Sequence, residues 1–151
     1  MIVGANMISK KIKQLYSSNN TYNVTKIINN KQIGILYIDL DIECCGITVS
    51  NHRNKTIIIN SNIHPNLQEF TLAHELGHCV LHNQLSTPFM RKTCSYSAIS
   101  KLEAEAHRFA FEILSKQYPE ILSMTPMQVT DYFKLPSYMT VFMKQLKNKE
   151  E

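Results

Sequence analysis

No apolar run in this 151-residue chain approaches the roughly 18 residues needed to cross a bilayer, so no transmembrane helix is expected. The start, MIVGANMISKK, lacks a basic stretch followed by a long apolar one and does not read as a secretory signal; Met7 is an alternative start. Arginine is scarce, at three residues against 13 lysines, and the cations are spread along the chain. A nucleic-acid groove would show a clustered stripe with arginine in it, so direct nucleic-acid binding is not expected. The four cysteines fall at 44, 45, 79 and 94, with neither a CxxC nor a Cys/His finger spacing. That excludes a disulfide framework and a finger-type metal site, and points to a reduced, cytoplasmic protein. Tryptophan, internal repeats and low-complexity linkers are absent as well.

What is present is ordinary globular composition, 44% hydrophobic and 19% charged, with a net charge of +4 that predicts no partner. At this length one domain over 1–151 is the default, burying about 70% of the unfolded chain's surface. Met7, Ile8, Ile12 and Leu15 recur at helical spacing, and a second short helix is expected over 21–29. The period then changes. Residues 33–38, 46–49 and 55–59 alternate or are β-branched, and they read as three short strands of a small antiparallel sheet. Pro65 opens a long helix with apolar residues at 67, 70, 73, 77, 80 and 81. After a loop at Pro88, a strongly patterned helix runs over 99–116. Thr125-Pro126 and Pro136-Ser137 open two more, so about 125–151 form a helical C-terminal portion of the same domain. The class is α+β.

His74-Glu75-Leu76-Gly77-His78 places two imidazoles one helical turn apart, on the same face, where both can reach one metal ion. Glu75 projects beside them, close enough to take a proton from a metal-activated water. HExxH alone is a short pattern and needs its context. On a helical wheel the two histidines lie within about 40° of each other, inside the apolar arc marked by Leu67, Phe70 and Leu81. Gly77 weakens the helix by about 1 kcal/mol against alanine, which close approach by a second helix would offset.

A zinc ion requires a third protein ligand and an open position. The helix over 99–116 offers Glu103, Glu105 and Glu112. Its apolar arc of Leu102, Ala106, Phe109, Ala110, Ile113 and Leu114 contains Glu103, whereas Glu105 and Glu112 fall on the opposite, wet face. Glu103 is therefore the better candidate, with a surface ion pair as the bland alternative. His82 lies two turns from His74, too far along the axis to share one ion easily, so it reads as a supporting histidine. His107 sits about 40° from Glu103 and is either a partner of the site or a partly buried histidine. Cys79 reads as packing. Tyr96, Tyr118, Tyr132 and Tyr138 are open candidates for a transition-state hydrogen bond.

These residues resemble the ImmA/IrrE metallopeptidases. Thr56-Ile57-Ile58-Ile59-Asn60 is similar to their IxIN strand, Phe70 to His78 to their FxxAHELGH, and Leu81-His82 to their LH. Glu103-Ala104-Glu105-Ala106-His107-Arg108-Phe109-Ala110 is similar to their ExxANxFA box, with His107 in place of the usual Asn, Asp or Ser. The resemblance runs from about Ile33 to Leu146. It implies a zincin-like α+β fold, zinc held by His74, His78 and Glu103, and Glu75 as general base. It also implies that the strand over 56–60 borders the cleft and pairs with the substrate backbone. Many members cleave a helix-turn-helix repressor of a phage or mobile element.

The reading is a zinc endopeptidase acting on such a repressor, with no membrane partner and an oligomeric state left open. The alternative is a non-proteolytic antirepressor on the same scaffold. A DNA-binding protein with a structural zinc is weakest, because 125–151 only superficially resembles a helix-turn-helix and carries no arginine.

Overall fold

The computed structural model describes residues 4–41, 43–82, 89–90 and 99–150, with Met90 described by its backbone alone. The first helix, α1 (Ala5–Asn19), buries Ile8, Ile12 and Leu15, the stripe that the sequence spacing marks. The second, α2 (Val24–Asn30), starts later than its polar flank suggests, because Asn23 serves as the cap and accepts from Lys26 N–H. Strands β1 (Gly34–Ile38), β2 (Cys44–Asn51) and β3 (Asn54–Asn60) follow. A two-residue piece, β4 (Phe89–Met90), adds to β2. The loop expected at Pro88 lies outside the described residues, as do Cys94 and Tyr96.

The sheet order is β1-β3-β2-β4, and the sheet is mixed rather than antiparallel. The β2–β3 hairpin and the β2–β4 pair are antiparallel, but β1 runs parallel to β3. Alternation along a strand reports which face is buried, not which strand lies beside it. The crossover is held by Asn60, which is fully buried. Its Nδ2 donates to Asp41 O (3.0 Å) and Cys44 O (2.9 Å), and its Oδ1 accepts from Asn62 N–H (2.9 Å). The asparagine ending the β3 run therefore ties down the segment that carries the chain past the end of β3.

One face of the sheet carries Ile57, Ile59 and Thr48, all buried. Against it packs α3 (Pro65–Leu81). Gly46 permits the approach, since a Cβ there would lie 2.7 Å from Thr71 Cγ2. Leu36 and Val49, on the opposite face, are exposed. On the far side of α3 lies α4 (Lys101–Gln117), with a 3-10 turn over Pro119–Ser123 after it. A capping box on Thr125 starts α5 (Pro126–Tyr132). Pro136 leads first into a 3-10 turn, Ser137–Met139, and then into α6 (Thr140–Glu150), which packs on α4 and α5.

Candidate metal centre

Two helices build the site. On α3, His64 caps the first turn through its Nδ1, Pro65 occupies the first helical position, and every residue from Phe70 to Cys79 is buried. Gly77 sits where α4 crosses: a Cβ there would lie 3.0 Å from Phe109 Cδ1 and 3.2 Å from Phe109 Cβ. The absent side chain is what lets the two helices come this close. On α4, Ser100 caps the helix by accepting from Glu103 N–H, so Glu103 rides in a fixed first turn.

The result is a tight group of three side chains. His78 Nε2 lies 3.2 Å from His74 Nε2, His74 Nε2 is 3.2 Å from Glu103 Oε2, and His78 Nε2 is 2.7 Å from Glu103 Oε1. Both rings are buried, and the Glu103 side chain keeps 17% exposure. Burial alone would raise the Glu103 pKa, but hydrogen bonds from His74 and His78 overcome it and hold the carboxyl well below the usual range. Burial likewise works against a charge on His78, yet its hydrogen bond to Glu103 and the charges of Glu103 and Glu75 together outweigh this and raise its pKa.

Glu75 is fully buried beside this group, and burial raises its pKa against the lowering pull of His74 and of Thr48. Thr48 Oγ1 donates to Glu75 Oε2 at 2.6 Å. Glu75 Oε1 has no hydrogen-bond partner among the described residues, so one oxygen is held and the other is available to take a proton. Sequence reasoning missed Thr48; within a β-branched strand a threonine carries no signal beyond its inward parity.

His107 also reaches the group. Its ring lies 4.5 Å from that of His74, and ligand atoms of His74, Glu103 and His107 all fall within 4.8 Å of one another. It is enclosed by Phe70, Phe89 and Phe142, and this burial pushes its pKa well below 6.5, so the ring is neutral. His82 stands behind His78, with the two Nδ1 atoms 3.1 Å apart. Cys79 is buried as packing, with burial raising its thiol pKa. Tyr118 turns toward Glu69 and Gln117, burial and Glu69 pushing its hydroxyl up to about 12. Tyr132 meets Phe133 edge-on, and Tyr138 packs against the core.

Two expectations need correction. Glu105 and Glu112 are not on a wet face: they are 1% and 6% exposed. The wheel assumes one solvent side, but α4 is packed by α1, α3, α6 and the 3-10 turn and has none over 104–115 except at Arg108. The strand over 56–60 cannot pair with a substrate either, because β3 is interior, with β1 on one side and β2 on the other.

Residues 31–149 match the model of a peptidase family described as the IrrE N-terminal-like domain. The chain belongs to that family. It is 37% identical over 107 residues to "Uncharacterized immunity region protein 2" of Bacillus phage phi105, covering 71% of this chain and 65% of the phage protein. It is 32% identical over 139 residues to "Metallopeptidase ImmA" of Bacillus subtilis (strain 168), covering 88% of this chain and 81% of that protein. The match thus spans just under two thirds of the phage protein's length. No solved structure is significantly similar to this chain. Among the described residues, no helix of this family member is long and apolar enough to cross a membrane.

Proposed function

We propose that this chain is a zinc-dependent endopeptidase with a zincin-like fold, in which His74, His78 and Glu103 hold the ion and Glu75 is the general base. The observation that carries the reading is the convergence, from two helices, of His74 Nε2, His78 Nε2 and the two Glu103 oxygens, with contacts of 2.7–3.2 Å. Ligands about 2.0–2.1 Å from a shared tetrahedral centre stand about 3.3 Å apart, so the group fits zinc with slight outward adjustment. Two neutral imidazoles and a carboxylate also match the donor set of catalytic rather than structural zinc sites, which keep a position open. When bound, such an ion activates a water and polarises a peptide carbonyl.

The chain's own residues supply the remaining steps. Glu75 Oε1 takes the proton of the attacking water, and Thr48 keeps Oε2 fixed so that the free oxygen points one way. The same carboxyl then delivers that proton to the leaving amine, a transfer favoured by a pKa that burial has raised above the usual carboxylate range. His107, neutral and walled by aromatic rings, lines the site beside His74.

The substrate proposed is a helix-turn-helix repressor of a phage or mobile element, consistent with one relative's name placing it in a phage immunity region. The protein is read as cytoplasmic and as one domain over 1–151, with 125–151 part of it. The test is co-incubation with the repressor encoded beside this gene, followed by intact mass. Wild type should give two fragments whose masses sum to the repressor plus one water, and Glu75→Gln should leave the repressor essentially intact over the same incubation. Full-length repressor with both proteins, released intact from DNA by both, would replace this reading with that of an antirepressor.

A further inference from the structure

Behind His78, away from the converging donor atoms, Glu105 and His82 form a line. His82 closes α3, one turn after His78, and the two Nδ1 atoms are 3.1 Å apart. On its other side His82 Nε2 lies 3.4 Å from Glu105 Oε1, within ion-pair distance but without hydrogen-bond geometry. Glu105 is 1% exposed and His82 8%. The pair of helices that brings His74, His78 and Glu103 together therefore also brings Glu105 to His82.

With an ion on His78 Nε2, that nitrogen no longer donates to Glu103, and counting protons then fixes the direction of this line. Two facing Nδ1 atoms need one proton between them, and it belongs to one ring or the other. An ionised carboxylate can only accept, so the nitrogen facing Glu105 is the one that carries a proton. A neutral His82 with its proton on Nε2 has a bare Nδ1, which accepts. The proton between the rings then belongs to His78 Nδ1, and a neutral His78 keeps its lone pair on Nε2. The reverse order would set a bare Nε2 against the Glu105 carboxylate. It would also keep the His78 proton on Nε2, where it donates to Glu103 and occupies the nitrogen that an ion would need.

We propose that Glu105 and His82 are positioning residues that lock His78 in the Nδ1–H form, leaving Nε2 as the metal-binding atom. The proposal rests on the reading of the site as a metal centre and extends it to a second layer. It also separates the two histidines of the motif. His78 is held from behind, whereas His74 Nδ1 has no hydrogen-bond partner among the described residues.

Two measurements test it on the full chain. In the zinc-loaded wild type, long-range nitrogen–proton NMR of the imidazoles should show His78 protonated on Nδ1 and His82 protonated on Nε2. A proton on His82 Nδ1 overturns the line. The second measurement is zinc affinity by chelator competition. His82→Leu, which removes the acceptor, should bind zinc about 10–100-fold more weakly. His82→Asn, whose amide oxygen can take the place of Nδ1, should recover most of the loss. In Glu105→Leu the His82 ring should lose its Nε2–H preference. Equal affinity in wild type and His82→Leu overturns the proposal, and so does an equal loss in His82→Leu and His82→Asn. A wild type that takes up no zinc at all instead overturns the metal-centre reading, and this one with it.

Discussion

Each end of α4 carries a carboxylate at least partly withdrawn from solvent, and the two are answered by different partners. Near the C-terminal end, Glu112 receives a lysine ammonium, Lys149 Nζ at 2.8 Å, and the hydroxyl of Ser9 at 3.0 Å. Near the N-terminal end, Glu103 receives two imidazoles, His74 and His78. A lysine keeps its charge across the physiological range and makes a permanent pair. An imidazole can surrender its proton near neutrality, and a nitrogen freed in that way binds a metal. An acid that only holds helices together is met by a fixed cation, whereas one placed to share an ion is met by histidines.

The largest break should come beside the histidine end. Glu75→Gln keeps the shape of the side chain but removes the base, so cleavage should fall by about 10²–10⁴-fold with zinc content unchanged. Cleavage kinetics and metal analysis on the same sample check this. Glu103→Ala should act differently: zinc should be lost together with activity, while the fold persists. At the lysine end the signature is inverted. Lys149→Met leaves Glu112 buried without its ammonium and should cost about 1–3 kcal/mol in denaturant unfolding, discounted because Lys149 is a third exposed. Zinc binding should be unaffected.

Gly77→Ala tests the helix crossing that brings both partners to Glu103. The added methyl would gain helix propensity but collide with Phe109, for a net loss of about 1–2 kcal/mol in thermal or denaturant unfolding. The smallest effect is the pH dependence of the metal-free protein. The lowered Glu103 pKa gives stability that is present above about 4.5 and lost as pH falls through its folded value. The raised His78 pKa gives stability that is present below about 6.5 and lost as pH rises through its folded value. Melting temperature without metal should therefore peak between these limits. Zinc affinity should instead climb with pH as His78 loses its proton.

Much of this was legible in the sequence, for definable reasons. The α3 helix and its Pro65 start, the Thr125 cap, and the inward placement of His74, His78 and Glu103 follow from local signals that act over one or two turns. The need for Gly77 was legible too, because a weak helix residue inside a strong helix calls for a neighbour. Long-range partners were hidden. Nothing local tells β1 to pair with β3, and the tie made by Asn60 to the crossing segment appears only in three dimensions. Glu105 and Glu112 were misplaced because a wheel assumes a solvent side that a central helix lacks. Thr48 escaped because its partner, Glu75, lies 27 residues away in the chain.

The central claim, that His74, His78 and Glu103 form one metal centre, is tested most directly by zinc stoichiometry in native mass spectrometry. The account predicts one zinc ion per wild-type chain and none in His74→Ala or Glu103→Ala, each still folded. A folded wild type without zinc, or one full equivalent retained by both variants, would contradict it.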